Sequence, residues 1–326
     1  MRAIQLNRFG EADVLEIVSV PKPEPQAGEV LVRVHAAGVN FFEVLMRADR
    51  YAVTPQLPMI LGVEAAGIVE ALGHRVEASL LGMRVAAPLF ASSQPFGGCA
   101  EYVTIDASLA VPLPDALSFE DATALMVQGL TALHLSRQSR PAGKSVLVAA
   151  AAGGVGSLLV QLAKRAGASR VIAAAGSKAK LDLALSLGAD AAVDYSNTDW
   201  PEHVRAATGG AGVDTIYDIV GGPLTAAALE ALAPCGELVF AALGRYALGA
   251  PEMEAMIGRN QSLRGFALLP LLSTDGLRDG LLELFDLAAG GQLVVTKGGR
   301  FPLDQASHAH RLLEERGATG KVVLIP

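Results

Sequence analysis

The sequence predicts an α/β protein in two parts: a β-rich region and a doubly wound domain with a parallel sheet. The first observation is a change of pattern. Up to about Asp121, short β-like runs alternate with turn residues, whereas after Gly143 strand and helix patterns alternate. The second is that the later strands are continuous apolar runs, which is typical of parallel strands buried on both faces. The third is length, because 326 residues are ample for two domains.

The β-rich region contains three clear strand patterns, EVLVRVHAAGV (29–39), AAGIVEAL (65–72) and EYVTI (101–105). Segments rich in proline and glycine separate them, which predicts a barrel or a sandwich of short strands. The texture changes at LSFEDATALM, where Ser118 is expected to cap a helix, with Asp121 three residues later.

Repeated βαβ units are predicted from Gly143 to about Gln261. The predicted strands are SVLVAAA, RVIAAA, AAVDY, TIYDIV and ELVFAAL, and the predicted helices are VGSLLVQLAKRAG, KLDLALSLG and PLTAAALEALA. We take ELVFAAL as the candidate last strand of this sheet. An exposed edge there could pair with a second copy of the chain in a homodimer.

Composition excludes several classes of function. The formal net charge of −7 and the absence of cationic runs disfavour nucleic-acid and membrane-surface partners. No apolar segment has the length of a signal peptide at the N-terminus or of a transmembrane helix elsewhere. The two cysteines, Cys99 and Cys235, lie far apart and form no CxxC pair. The expected setting is therefore soluble, reducing and cytoplasmic.

The turn between the first predicted parallel strand and its helix reads AxGxxG, with Ala151, Gly153 and Gly156 at the small positions. A small first residue allows a tight turn, the second lets a pyrophosphate approach the backbone, and the third lets helix and strand pack closely. We therefore expect Gly153, Gly154, Val155 and Gly156 to cradle a dinucleotide at the helix N-terminus. The alternative is an ordinary turn in an alanine-rich chain.

The end of the second predicted strand indicates which dinucleotide binds. NAD enzymes place a carboxylate there for the ribose hydroxyl, but the stretch after Ala175 has no carboxylate before Asp182. Gly176, Ser177 and Lys180 stand there instead, together with Lys178, and a hydroxyl and ammonium groups suit a 2′-phosphate. We therefore predict NADPH as the cofactor. The alternative is that both lysines are solvated charges at the start of a helix.

Six segments also carry a family resemblance along nearly the whole chain. They are AAGVNFFEVLMRADRY (36–51), LPMILGVEAAGIV (57–69), GLTALHL (129–135), AAAGGVGSLLVQLAK (150–164), LGADAAVDY (187–195) and GKVVLIP (320–326). With these motifs the chain resembles the zinc-free NADPH:quinone oxidoreductase branch of the medium-chain dehydrogenase/reductase superfamily. The resemblance implies a GroES-like catalytic domain (1–121 and 265–326) and an inserted Rossmann NADP-binding domain (122–264).

The zinc-dependent relatives in this superfamily place a cysteine where this chain has Asn40 and a histidine where it has Val63. Glu64 alone cannot hold zinc, which takes three or four N, S or O ligands. The histidines form no HxxxH or HExxH pair. We therefore predict no metal. A metal-free site suits quinones and activated enones, which accept hydride without a Lewis acid.

The resemblance also implies a set of site residues. Asn40 would make a polar contact with the nicotinamide or the substrate, and Tyr51 would donate a hydrogen bond or a proton. The further cofactor-binding residues would be Thr131 and Phe266 near the nicotinamide, Tyr195 beside the 2′-phosphate, and Lys321 near a cofactor phosphate. Each has a structural alternative, such as a turn asparagine or a core aromatic. Arg50 stands where many relatives have a glycine before the tyrosine, and it could narrow the site or attract an anionic substrate.

The predicted function is NADPH-dependent reduction of quinones or related electrophilic carbonyl compounds. One alternative is reduction of the carbon–carbon double bond of an enone or an enoyl thioester, in which a proton must reach carbon. Another is an NADPH-binding protein without significant turnover. The predicted partner is a small-molecule quinone or enone substrate.

Overall fold

The computed structural model describes residues 1–245 and 247–326, and the chain divides into two compact units. The β-rich unit comprises Met1–Leu130 and Leu272–Pro326, and the parallel-sheet unit comprises Thr131–Leu271. The predicted α/β class is therefore confirmed. The breaks predicted after residues 121 and 264 lie a few residues before these limits, and the domain boundaries themselves stay a prediction.

The first segment of the chain is dominated by strands. Its elements are β1 (Arg2–Leu6), β2 (Leu15–Ser19), β3 (Glu29–Val39), α1 (Phe41–Arg47), β4 (Met59–Ile60), β5 (Ala65–Leu72), β6 (Arg84–Ala87), β7 (Tyr102–Asp106), β8 (Val111–Pro112) and α2 (Phe119–Ala124). The hydroxyl of Ser118 accepts the Asp121 N–H at 3.0 Å, which confirms the predicted cap of α2. A π-helical turn, Leu125–Gly129, joins α2 directly to α3 (Leu130–Ser139).

The parallel-sheet unit alternates strands and helices as predicted. Its elements are β9 (Ser145–Ala149), α4 (Gly154–Arg165), β10 (Arg170–Ala175), α5 (Lys178–Ser186), β11 (Ala191–Asp194), α6 (Trp200–Ala207), β12 (Val213–Asp218), α7 (Pro223–Ala231), β13 (Leu232–Phe240), α8 (Ala250–Gly258) and β14 (Ser262–Gly265). The six strands are parallel, in the order β11-β10-β9-β12-β13-β14. Strand β9 lies inside the sheet, and its residues Val146, Leu147 and Val148 are all buried. This pattern is expected of a parallel strand that is covered on both faces.

One strand prediction is wrong. ELVFAAL was expected to be the last strand of this sheet, but β13, which contains Glu237–Phe240, lies between β12 and β14. The outer strand is the short β14, Ser262–Gly265. Its sequence, SLRG, carries an arginine and a glycine and has little of the apolar character that marks the other parallel strands. The edge strand therefore lies just beyond Gln261, where the sequence pattern predicts that the βαβ region ends.

The C-terminal segment returns to the β-rich unit with α9 (Thr274–Ala289), β15 (Lys297–Pro302), α10 (Ala306–Glu314) and β16 (Lys321–Ile325). Strand β3 is central, because it pairs antiparallel with β5, with β7 and with β16. In this register Val322 lies opposite Val39, and Ala65 lies opposite Ala37. The end of β3 and the starts of β5 and β16 therefore meet at one place.

Each unit has its own apolar core. In the β-rich unit the core is built from the inward-facing valines, leucines and alanines of the strands, and in the parallel-sheet unit from strand residues packed against α6 and α7. Among the helices of the described residues, none combines the length and the apolar character needed to cross a membrane.

Candidate functional site

The turn between β9 and α4, here called the glycine turn (Ala150–Gly156), is built with almost no side-chain volume. Ala150 has a φ of 47°, and its carbonyl accepts the Gly153 N–H at 2.8 Å. A Cβ on Gly156 would lie 2.2 Å from the Ala150 oxygen and 2.8 Å from the Ala151 Cα, so only glycine allows this approach. Gly153 precedes α4 and gives it no side-chain cap, which leaves the first N–H groups of the helix to solvent or to a ligand.

The carboxyl ends of β10 and β11 bring two predicted cofactor residues together. These strands are parallel with Ala175 opposite Asp194, and the Tyr195 N–H donates to the Ala175 oxygen at 3.2 Å. A Cβ on Gly176 would lie 3.1 Å from the Tyr195 ring, so the ring packs directly over this glycine. The predicted Gly176 and Tyr195 are therefore neighbours at the edge where ligands of such sheets bind.

The helix that follows, α5, presents the other residues of what we call the corner beside the glycine turn: Gly176, Ser177, Lys180 and Tyr195. Ser177 is the exposed residue that precedes α5, and Lys180 lies half-buried in its first turn. The ammonium of Lys178 lies 2.8 Å from a carboxylate oxygen of Asp182, one turn along the helix. That pair neutralises the first carboxylate after β10.

A buried aspartate that sequence analysis missed shapes the turn after β12. Asp218 accepts the N–H groups of Val220 and Gly221 at 2.9 and 2.8 Å, and its second oxygen accepts the Thr225 hydroxyl. It fixes the backbone at the carboxyl end of a central strand. The DIVGG run was a signal for a turn, but burial of the aspartate was not readable from it.

The β-rich unit contains a buried polar group that we call the lysine cluster: Asn40, Glu43, Glu64 and Lys321. Their exposed fractions are 3%, 1%, 0% and 3%. Asn40 follows β3, Glu64 precedes β5 and Lys321 begins β16, so the sheet register described above assembles three of them. Glu43 comes from the first turn of α1. Burial of charged groups on this scale requires that they neutralise and hydrogen-bond one another.

Asn40 lies at the centre of the lysine cluster. Its amide nitrogen donates to Glu64 Oε1 at 2.9 Å and to Glu43 Oε2 at 3.1 Å, and its Oδ1 accepts from the Lys321 ammonium at 2.8 Å. Because both amide hydrogens are engaged, the side chain can offer a ligand only the remaining acceptor capacity of Oδ1. Its contact with nicotinamide or substrate stays a prediction.

Glu43 and Cys99 titrate abnormally because the interior around them excludes water. Burial raises the pKa of Glu43 to about 7, with the Glu64 charge adding to the rise and the Lys321 charge opposing it. The Glu43 carboxylate also accepts the N–H groups of Asn40 and Gly62 at 3.0 and 3.1 Å. Burial likewise raises the pKa of the Cys99 thiol well above its usual value. The thiol is therefore protonated and unreactive at neutral pH.

Glu64 links the lysine cluster to the π-helical turn. Its Oε1 accepts from Lys321, and its Oε2 accepts the Val127 N–H at 2.8 Å. Sequence analysis considered Glu64 only as a zinc ligand and Lys321 only as a phosphate contact. In the structure the ammonium of Lys321 is engaged by Glu64 and Asn40, and its role at a cofactor phosphate stays a prediction.

The other predicted residues lie in less distinctive surroundings. Tyr51 follows α1 and its ring centroid lies 5.6 Å from that of Phe42. Thr131 is half-buried near the start of α3. The N–H of Phe266 donates to the Phe240 oxygen at 2.9 Å, continuing the pairing of β13 and β14.

Two further contacts bear on the expected substrate pocket. The guanidinium of Arg50 bonds the Glu314 carboxylate at 2.9 Å, and the buried Arg47 shares the same carboxylate at 3.0 Å. Phe266 and Gln138 line a cavity of about 390 Å³ in the parallel-sheet unit. Within residues 1–245 and 247–326 there is no group of three or more His, Cys, Asp or Glu side chains placed to hold a metal ion.

Comparison with known proteins agrees with this architecture. The alcohol dehydrogenase GroES-like domain matches residues 26–115, and the zinc-binding dehydrogenase family matches residues 154–281. A quinone oxidoreductase of Salmonella typhimurium is 34% identical, with 99% of each chain covered. A 2-haloacrylate reductase of Burkholderia is 33% identical, covering 96% of this chain and 95% of the relative.

Among solved structures, Escherichia coli quinone oxidoreductase complexed with NADPH superposes with a TM-score of 0.90 at 32% identity, with both chains fully covered (100%). Sequence and structure therefore agree over the whole length of the chain. The chain belongs to the quinone oxidoreductase branch of the medium-chain dehydrogenase/reductase superfamily.

Proposed function

We propose that this chain is an NADPH-dependent oxidoreductase that reduces quinones or related electrophilic carbonyl compounds without a metal. The observation that carries the proposal is the glycine turn, in which Gly156 lets α4 begin directly against the end of β9 and Gly153 leaves the helix N-terminus without a side-chain cap. The names of the relatives support the reaction class, and the NADPH complex of the Escherichia coli relative supports the cofactor.

The cofactor fits the groups that this unit presents. Gly153, Gly154, Val155 and Gly156 would receive the pyrophosphate at the start of α4, where backbone N–H groups and the helix dipole favour an anion. Gly176, Ser177, Lys180 and Tyr195 would receive the adenosine 2′-phosphate. NADPH, when bound, supplies a hydride to the substrate.

The preference for NADPH over NADH rests on the absence of a free carboxylate at the end of β10. Asp182 is paired with Lys178, and the nearer Asp194 accepts the Ser196 N–H at 2.9 Å and its hydroxyl at 2.6 Å. No carboxylate stands among residues 176–181, where NAD enzymes present one to the ribose hydroxyl. A 2′-phosphate would instead meet a hydroxyl and an ammonium group.

In the β-rich unit, Asn40 and Tyr51 are the groups proposed to act on the substrate. Asn40 is held rigidly by the lysine cluster, so it can orient a partner without losing conformational entropy of its own. The hydroxyl of Tyr51 would donate a hydrogen bond to the substrate oxygen, or a proton to the product. Thr131 and Phe266 remain the proposed contacts of the nicotinamide.

A second candidate is reduction of a carbon–carbon double bond, favoured by the full-length similarity to a 2-haloacrylate reductase. That reaction needs a proton at carbon, so it depends more strongly on Tyr51. Quinone reduction needs protons only on oxygen, which water can supply.

The test is NADPH oxidation by the purified, chelator-treated protein with matched quinones, enones and enoyl thioesters. Tyr51→Phe is compared with Tyr102→Phe as a control. Tyr102 lies on β7, and the Lys22 ammonium lies over its ring. The proposal predicts fastest turnover with quinones, unchanged in Tyr102→Phe and lowered only in part in Tyr51→Phe, which loses the hydrogen bond to the substrate oxygen. Preference for enones, lost in Tyr51→Phe alone, would move the function to double-bond reduction. NADPH binding without turnover of any acceptor would indicate a non-catalytic protein.

We further propose a cytoplasmic homodimer in which the outer edges of β14 pair. The edge carries Leu263, 42% exposed, and the preceding helix carries Ile257, 79% exposed, which fits a covered surface. The two free thiols, with Cys235 exposed, fit a reducing compartment. Sedimentation analysis should give a dimer for the wild type and a shift towards monomer for Leu263→Lys. A monomeric wild type would contradict the assembly.

A further inference from the structure

The lysine cluster holds ionisable groups away from water. Two carboxyl groups, Glu43 and Glu64, and one ammonium, Lys321, are all almost completely buried. Among the described residues, that ammonium is the only cation in contact with Glu64; it bonds Glu64 Oε1 and also Asn40 Oδ1. Removing one partner from such a buried pair leaves an uncompensated charge, so the lysine is essential to the arrangement.

Zinc, which the zinc-binding dehydrogenase match implies, does not fit this donor set. The oxygens of Glu64 already accept from Lys321, Asn40 and Val127, and those of Glu43 accept from Asn40 and Gly62. Asn40, which stands at the position of a zinc-ligand cysteine in the zinc-dependent relatives, instead accepts a hydrogen bond from the ammonium.

The backbone around the pair is shaped to admit it. A Cβ on Gly38 would lie 2.3 Å from Glu64 Oε1 and 2.7 Å from Lys321 Cε. Any other residue at this point of β3 would displace the carboxylate or the lysine. The missing Cβ of Gly38 therefore provides the space in β3 that Glu64 and Lys321 occupy.

The second oxygen of Glu64 reaches the π-helical turn. A π-turn breaks the regular helical hydrogen-bond pattern, and such turns are frequent at functional sites. Here the Val127 N–H is taken by Glu64 from outside the helix. The next residue, Gln128, is 9% exposed, and its Oε1 has no partner among the described residues. Glu64 therefore fixes the turn at the residue before a buried, unused acceptor.

We propose that Lys321 is a built-in cation that takes the place of a metal in this chain, and that Lys321 and Glu64 form a positioning pair that holds Asn40 and the π-helical turn. The proposal rests on the reductase function proposed above, and it assigns Lys321 to positioning rather than to a cofactor phosphate. The pair acts through Asn40 and Val127 and does not itself touch the reacting atoms.

The experiment compares Lys321→Met, Lys321→Arg and Lys297→Met. Lys297 is the matched control because it lies opposite Lys321 in the pairing of β15 and β16, and its side chain is 64% exposed. We expect Lys321→Met to lower kcat about 10–100-fold, as loss of outer-shell partners does at metal sites, with the dissociation constant of NADPH unchanged. Lys321→Arg should recover part of kcat, and Lys297→Met should match the wild type.

A weakened NADPH affinity with unchanged kcat would overturn the proposal, because it would place Lys321 at a cofactor phosphate. Unchanged kcat and affinity in a folded Lys321→Met would overturn it as well. One measurement needs neither activity nor a variant: amide hydrogen exchange of Val127 in the wild type. We expect slow exchange, and exchange as fast as that of exposed loop amides would overturn the proposal. If no acceptor is turned over, the proposed function fails, and the exchange measurement still tests the pair.

Discussion

The glycine turn of the parallel-sheet unit and the lysine cluster of the β-rich unit solve opposite problems. The glycine turn removes side-chain volume so that the start of α4 packs directly against the end of β9, where a Cβ on Gly156 would meet the Ala150 backbone. The lysine cluster packs four polar side chains into a core and satisfies them with one another.

This difference shows which parts of the sequence determine each feature. All residues of the glycine turn fall within 150–156, so its shape follows from consecutive residues and the strand before them. Three members of the lysine cluster, Asn40, Glu64 and Lys321, are brought together by the register of β3, β5 and β16; Lys321 and Glu64 are 257 residues apart in the chain. The glycine turn is local in the sequence, whereas the lysine cluster forms only when distant strands pair.

The largest effect should come from breaking the glycine turn. Gly156→Ala forces a Cβ against backbone atoms that cannot rotate away, so we expect the free energy of unfolding to fall by about 3 kcal/mol or more. Gly258→Ala is the control, because the same atom there would meet nothing within 4 Å at the end of α8. It should leave stability unchanged or raise it by about 0.5–1 kcal/mol. Equal urea midpoints for the two variants would remove the basis of the comparison.

The lysine cluster should make stability depend on pH. Because the pKa of Glu43 is raised to about 7, the folded state holds a proton that the unfolded chain releases near its ordinary value of 4.5. This group's contribution is therefore fully present below pH 4.5 and is lost as the pH rises to about 7, by about 3 kcal/mol in total.

Urea unfolding of wild type and Glu43→Gln across this range isolates the contribution of Glu43. Subtracting the two curves removes the opposite contribution of His310. Burial and the Arg47 charge lower the pKa of this histidine to about 3, so its contribution is lost as the pH falls. A difference curve that is flat between pH 4.5 and 7 would show that Glu43 does not carry the dependence.

A smaller loss of stability is expected at Gly38, where the missing Cβ makes room for side chains instead of backbone. Gly38→Ala should cost about 2 kcal/mol, because the side chains of Glu64 and Lys321 must move away from the new methyl group but can do so more readily than backbone. In the Lys321→Met background the cost should be smaller, since the ammonium no longer has to stay in contact with Glu64. A double-mutant cycle measures this coupling, and additive costs would mean that Gly38 does not serve the pair.

The smallest effect concerns the corner beside the glycine turn. Lys180→Ala should weaken NADPH binding about tenfold and leave NADH binding unchanged, since one charge-assisted contact with the 2′-phosphate is lost. Lys178→Ala is the matched control, because it removes a neighbouring positive charge from α5, one whose ammonium lies 2.8 Å from Asp182. Calorimetric titration of both variants with both cofactors distinguishes them. Equal losses from the two variants would indicate a general effect of positive charge.

Local features were predicted closely from the sequence. The strand before the glycine turn was expected to end at about Ala150 and ends at Ala149, and the helix expected at about Val155 begins at Gly154. The cap at Ser118 was also predicted, because a serine followed by an acidic residue is a local signal. These features depend on neighbouring residues, so one short window contains the required information.

Non-local features escaped prediction. Lys321 opens the apolar run KVVLIP, and nothing in that run indicates that its ammonium is buried against Glu64 and Asn40. Glu43 reads as an ordinary acidic residue in the first turn of a helix, and burial alone makes it unusual. The edge strand β14 was missed because its own sequence is weakly apolar and only its pairing with β13 makes it a strand.

The most direct test of the account is a parallel titration of the wild-type protein with NADPH and with NADH, because cofactor recognition by the glycine turn and its neighbouring corner is the central claim. The account predicts NADPH binding at least about tenfold tighter, the difference that one phosphate contact supplies. Equal affinities, or tighter binding of NADH, would contradict the roles given to Gly176, Ser177, Lys180 and Tyr195.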